Sequence, residues 1–178
     1  MPSISDTLAT PLSLYAIPAM WIISLYPAFA RVSTFNEVFQ LERNVNESLK
    51  WLPDDSSAES RSVRQPRVSY ASVAQKKTIP PAVAARIQRL EGAHANGLEN
   101  LPIFGLAVLA GNFAQMDSAN LNIACGFYLL TRLAYNHFYA RQYDEKSADI
   151  RSLTWVISLA SPLYIFFKSA SLLAQKYP

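Results

Sequence analysis

The sequence predicts an all-α integral membrane protein built as a four-helix bundle. Three observations predict it. The stretch from Thr7 to Ala30 holds 24 residues without a charge, enough to cross roughly 30 Å of hydrocarbon as a helix. Three shorter apolar blocks follow, Asn100–Met116, Ser118–Thr131 and Ser152–Phe167. Each reaches about 20 residues with its flanks, which is again a spanning length. Third, the basic residues are sorted by face. Of 16 Lys and Arg, ten lie between Arg31 and Arg89 and four between Arg132 and Arg151, leaving only Lys168 and Lys176 beyond. The positive-inside rule then places the first and third loops in the cytosol and both termini opposite. Termini on one side require an even number of spans, in agreement with four.

The helices are expected near 10–32, 88–115, 118–141 and 152–174. In the first, the unbroken apolar run argues against a soluble helix, which would show a charged outer face in every turn. No Lys or Arg precedes that run, and it is too long for a signal-peptide core, so it reads as a retained anchor. Residues 36–80 form a polar first loop. Its Ser-rich part, including Asp54-Asp55-Ser56-Ser57-Ala58-Glu59-Ser60, has no periodicity and reads as disordered. Pro80-Pro81 then marks a helix start, and Arg86 and Arg89 lie on the cytosolic extension of the second helix. The third helix holds the single cysteine, Cys125, read as a packing residue. The fourth opens at Arg151. The whole chain reads as one membrane domain. Its net charge of +3 follows from topology and from attraction to anionic lipid, and calls for no nucleic-acid partner.

This topology brings unusual residues to one level of the bilayer. The segment His94-Ala95-Asn96-Gly97-Leu98-Glu99 is polar and runs directly into an apolar helix. Asn96 and Glu99, three apart, share a face. The third helix leaves on the same side, with Arg132, Tyr135 and Tyr139 at i, i+3 and i+7. Arg151 opens the fourth helix there, and Arg31 closes the first. Polar groups inside a membrane are costly and are read as functional.

Such a set suits an anionic, peptide-like ligand. Arginine pairs with carboxylates in a forked geometry, a glutamate accepts from an ammonium, and Asn96 serves a peptide amide through both donor and acceptor. A guanidinium also favours the thiolate, the nucleophilic form of a thiol. The same residues have structural readings: an interhelical Asn96–Glu99 pair, an interfacial His94, tyrosine anchors at the headgroups, a positive-inside Arg151. With two histidines and no carboxylate pair at ligand spacing, a metal site is not expected. Neither a phosphate loop nor a nucleophile elbow is present.

At these residues the chain resembles the MAPEG family, membrane-associated proteins of eicosanoid and glutathione metabolism. The resemblance rests on Ala93-His94-Ala95-Asn96-Gly97-Leu98-Glu99-Asn100-Leu101-Pro102-Ile103-Phe104, on Arg132-Leu133-Ala134-Tyr135 with Tyr139, and on Arg151-Ser152-Leu153-Thr154-Trp155. It implies a homotrimer in the endoplasmic reticulum or another endomembrane, with glutathione as co-substrate bound between subunits near the cytosolic face. It also implies a lipophilic second substrate. On that resemblance Arg31, His94, Asn96, Glu99, Tyr135, Tyr139 and Ser152 would contact glutathione, Arg132 would bind its charged ends, and Arg151 would hold the thiolate. The implied activity is thiolate transfer to a lipophilic electrophile or hydroperoxide reduction, and the alternative is a non-catalytic scaffold of the same fold. A transporter or channel subunit is a third reading. The chain departs from the family pattern at Gly92, where many members carry Arg, at Trp155, where an aromatic hydroxyl is common, and in its long first loop. Losing one charge-assisted bond would weaken ligand binding by about 1.5–3 kcal/mol; Arg89, one turn earlier, is the replacement the sequence offers.

Overall fold

The structure is a computed structural model and describes residues 10–48, 80–141 and 145–177. A short 3-10 turn, Ser13–Tyr15, leads into four helices: α1 (Ala16–Ser48), α2 (Pro81–Phe113), α3 (Ser118–Ala140) and α4 (Glu145–Lys176). Among the described residues there is no strand. Helix α1 packs chiefly on α2, and α3 chiefly on α4. Helix α2 touches the other three, whereas α1 and α4 do not meet among the described residues.

Local chemistry accounts for the helix limits. Pro80 caps α2 and Pro81 fills its first position, where a missing N–H is harmless. At the far end Gln115 adopts a left-handed φ of 56°, and the Met116 N–H returns to the Gly111 carbonyl at 2.9 Å. Asp117 then starts α3, its side chain accepting from the Asn120 N–H at 3.0 Å.

Two boundaries correct the sequence reading. Helix α1 does not stop near 32 but continues to Ser48, so residues 36–48 are helix rather than loop. Charges solvate a helix without breaking it, and no Gly or Pro occurs between Pro27 and Pro53; helix interiors are broken mainly by those two. The rest of the expected loop, 49–79, lies outside the described residues. Helix α4 begins at Glu145, so Arg151 and Ser152 sit in its second turn instead of opening it.

Two helical segments are long and apolar enough to cross a membrane, Ser13–Thr34 and Ala148–Lys176. Helices α2 and α3 carry inward polar residues, among them Asn100, Arg132 and Asn136. The outer surface is apolar: Phe29, Phe113 and Phe167 are about 70% exposed or more. A soluble monomer rarely presents so much apolar surface. The core cluster sits towards the α2–α3 turn, around Met20, Phe104, Val108, Leu121, Cys125, Tyr128 and Ile165. Phe104 stacks on Tyr128 with centroids 4.1 Å apart, and Cys125 is buried there as a packing residue. That end is closed by Asn112, which donates to Ser13 Oγ at 3.0 Å, and by Asn122, which donates to the Thr10 carbonyl at 2.7 Å. Ser161 ties α4 to α3 through the Ala124 carbonyl at 2.7 Å.

Candidate functional site

Arg132 anchors the site. It is 1% exposed, and its Nη2 donates to Asn96 Oδ1 at 2.7 Å. Its guanidinium lies 4.4 Å from the centre of the Tyr135 ring. Asn96 is itself fixed from one turn on, where Asn100 Nδ2 donates to its backbone carbonyl at 2.8 Å and approaches its Oδ1 at 3.4 Å. The Nε and Nη1 of Arg132 are buried and have no hydrogen-bond partner among the described residues. A buried donor without an acceptor is costly, so these two nitrogens create a demand for an incoming acceptor.

From Arg132 the site continues along α3 and across to α4. Tyr135, also buried, meets Tyr139 edge to face at 5.4 Å. Arg151 of α4 lies 4.8 Å from the centre of the Tyr139 ring. Glu99 is exposed, yet both it and Arg151 are near enough for their charges to act on the Tyr135 phenol. Ser152 turns back to its own helix, donating to the Ala148 carbonyl at 2.9 Å; its Oγ is 3.5 Å from Arg151 Nη2. Asn96, Arg132, Tyr135, Tyr139 and Arg151 thus form one connected row over three helices.

His94 and Arg31 make other contacts. Pro27 lies inside α1 and lacks the N–H that would pair with the carbonyl four residues earlier. That carbonyl belongs to Ile23, and Asn136 of α3 donates to it at 3.0 Å. The adjacent Ser24 carbonyl is reached by His94 Nδ1 at 2.7 Å; the acceptor is a carbonyl, so this nitrogen carries the proton. Helix α2 comes close here because of Gly97, where a Cβ would fall 2.8 Å from the Cβ and Oγ of Ser24. His94 therefore joins α2 to α1, on the side where the proline opens the helix. Arg31 forms an ion pair with Glu91, one residue before Gly92.

Gly92 faces the other way. A Cβ placed there would fall on the Tyr139 hydroxyl and 3.0 Å from its Cζ. The space that a side chain at residue 92 would need is filled by a phenol from the neighbouring helix.

Asn100 and Asn136 are the residues that the sequence reading did not single out. Asn136 is one turn beyond Arg132, so the same periodicity that linked Arg132 to Tyr135 could have found it. Trp155, one turn beyond Arg151, has a buried indole N–H without a partner among the described residues. A separate groove of about 360 Å³ lies towards the opposite end, between the start of α1 and α3, lined by Leu12, Tyr15, Ala19, Asn122, Cys125 and Leu129. It shares no residue with the arginine–tyrosine row.

Chemically, two guanidiniums, two phenols and an amide can bind an anionic small molecule, and a guanidinium can hold a thiolate. The MAPEG family model matches residues 12–171 of the chain. No curated protein and no solved structure matches it. With the family match spanning most of the sequence and the motif residues meeting across three helices, the chain belongs to the MAPEG family.

Proposed function

We propose that the protein is a glutathione-dependent membrane enzyme that passes the thiolate to a lipophilic electrophile or uses it to reduce a hydroperoxide. One observation carries this reading: the row Asn96–Arg132–Tyr135–Tyr139–Arg151, with two Arg132 nitrogens buried and without a partner among the described residues. Those nitrogens point in different directions, and each suits a separate charge-assisted bond to a ligand oxygen. Glu99, exposed beside the row, suits the ammonium of the same ligand. Arg151, seated on Tyr139, supplies positive charge where a thiol must ionise. The bound thiolate is the nucleophile; the protein's own Cys125 is buried in the core and takes no part.

The membrane arrangement in this proposal has four spans, the α1–α2 and α3–α4 connections in the cytosol, and one membrane domain. Three copies assemble so that a neighbouring subunit closes the exposed side of the row at Glu99. The setting is the endoplasmic reticulum or another endomembrane, where lipophilic substrates enter from the bilayer. The test is glutathione binding to detergent-purified protein, followed by thiolate absorbance and by particle mass. Millimolar glutathione is expected to give a thiolate signal that Arg151→Ala removes, at the mass of a trimer. Absence of binding at that concentration would overturn the enzymatic reading.

A second reading, a non-catalytic scaffold of the same fold, is favoured by the Tyr139 hydroxyl standing in the space of a residue-92 side chain. It predicts normal assembly without turnover on any electrophile or peroxide. Activity that falls on Glu99→Ala would exclude it.

A further inference from the structure

We propose that Gly92 is the positioning residue for Arg151, acting through Tyr139; the inference rests on the glutathione reading above. Four facts carry it. The Tyr139 hydroxyl occupies the space that any β-carbon at position 92 would need, with the ring Cζ and Cε1 next at 3.0 and 3.4 Å. Arg151 sits over that ring, 4.8 Å from its centre. The edge of Tyr135 meets the ring at 5.4 Å, and Tyr135 is itself buried beneath the Arg132 guanidinium. Tyr139 therefore has α2 backbone at its hydroxyl tip, Tyr135 at one side and Arg151 on its face.

A tyrosine has only two soft side-chain torsions, and here three neighbours limit both. A methyl at position 92 would have to displace the hydroxyl, and Tyr135 blocks the way towards α3. Any tilt that frees this space alters the ring face on which Arg151 sits. The guanidinium that rides on the ring moves with it, while Arg132 and Asn96, held by their own hydrogen bond, stay in place. The absence of a side chain at residue 92 thus sets where the α4 charge stands, without Gly92 contacting any ligand. A displacement of about 1 Å at a catalytic group is enough to slow a reaction about 100-fold. Binding through Arg132 is left largely intact, so the two kinetic parameters should separate.

The experiment is a double-mutant cycle of Gly92→Ala and Tyr139→Phe on the full chain in detergent. Each variant is read by glutathione dissociation constant, thiolate absorbance per bound glutathione, and kcat. Gly92→Ala is expected to lower the thiolate signal and kcat by about 10- to 100-fold, with the dissociation constant within about threefold of the parent. In the Tyr139→Phe background the hydroxyl is gone and a slight ring tilt accommodates the methyl. There the same substitution is expected to change both signals by less than about threefold. An equal loss in both backgrounds, or no loss in either, overturns the inference. Should Gly92→Ala fail to assemble, the double variant must recover the parent's particle mass, and failure to do so also overturns it. If the parent itself binds no glutathione, the functional reading fails. The ring-to-guanidinium coupling then still stands to be read, from the rate at which phenylglyoxal modifies Arg151 with and without Gly92→Ala. An unchanged labelling rate would overturn it.

Discussion

Replacing Arg132 with methionine separates a residue kept for a ligand from one kept for the fold. The change removes a buried charge while preserving much of the side-chain length. Lost are the charge-assisted bond to Asn96 Oδ1 at 2.7 Å, about 1.5–3 kcal/mol, and the stacking on Tyr135 at 4.4 Å, about 0.5–2 kcal/mol. Gained is relief of two buried nitrogens without a partner among the described residues, about 1–3 kcal/mol each. Losses of about 2–5 and gains of about 2–6 kcal/mol nearly cancel. The ligand-free protein should keep its stability to within about 2 kcal/mol, a melting-temperature change of no more than roughly 4–8 °C. Glutathione affinity should instead fall by about 10- to 150-fold for each charge-assisted bond lost. Arg132→Lys keeps the charge but not the fork, and should not restore binding. The assay pairs thermal melting in detergent with glutathione titration. A destabilisation of about 3–5 kcal/mol, the signature of a broken structural ion pair, together with undiminished affinity, would refute the assignment of Arg132 to the ligand.

Three further outcomes follow from the contacts. Asn136→Leu should destabilise the protein by about 1–3 kcal/mol, because the Ile23 carbonyl loses its donor; Pro27→Ala, which restores a backbone N–H, should recover most of that, and additive melting shifts would contradict the pairing. Gly97→Ala should cost about 1–3 kcal/mol by overpacking, since the methyl lands 2.8 Å from Ser24 Oγ and 3.1 Å from its Cα; an unchanged melting temperature would show that α1 is free to retreat. His94→Ala should lose about 1 kcal/mol with its bond to the Ser24 carbonyl and leave glutathione affinity within about threefold. A larger loss of affinity would place the imidazole at the ligand.

The helices were legible in the sequence because apolar runs and paired prolines are local signals. Their ends were less so. Nothing between Pro27 and Pro53 stops a helix, and the polar residues after Asn36 mark a change of solvent rather than of conformation. The row Arg132, Tyr135, Tyr139 was legible from its spacing, and Asn96 from its place in an otherwise apolar helix. The partners were not. That Asn96 turns inward to Arg132 while Glu99 stays exposed depends on the rotation of α2, which two residues three apart leave open. The sequence places His94 with the ligand set, yet its ring nitrogen meets the Ser24 carbonyl, where Gly97 lets α2 come close to α1. The space at Gly92 reads from the sequence as a lost arginine, and only the packing of α3 against α2 shows a tyrosine in it.

The proline in α1 has a consequence for biogenesis. Its bare Ile23 carbonyl is served by a side chain that is 113 residues downstream, and so is synthesised long after α1 has left the ribosome. Helix α1 can form by itself, but this carbonyl has no fixed partner until α3 is made. The first helix to be synthesised is therefore among the last to settle, and errors in placing α3 would appear as misplacement of α1.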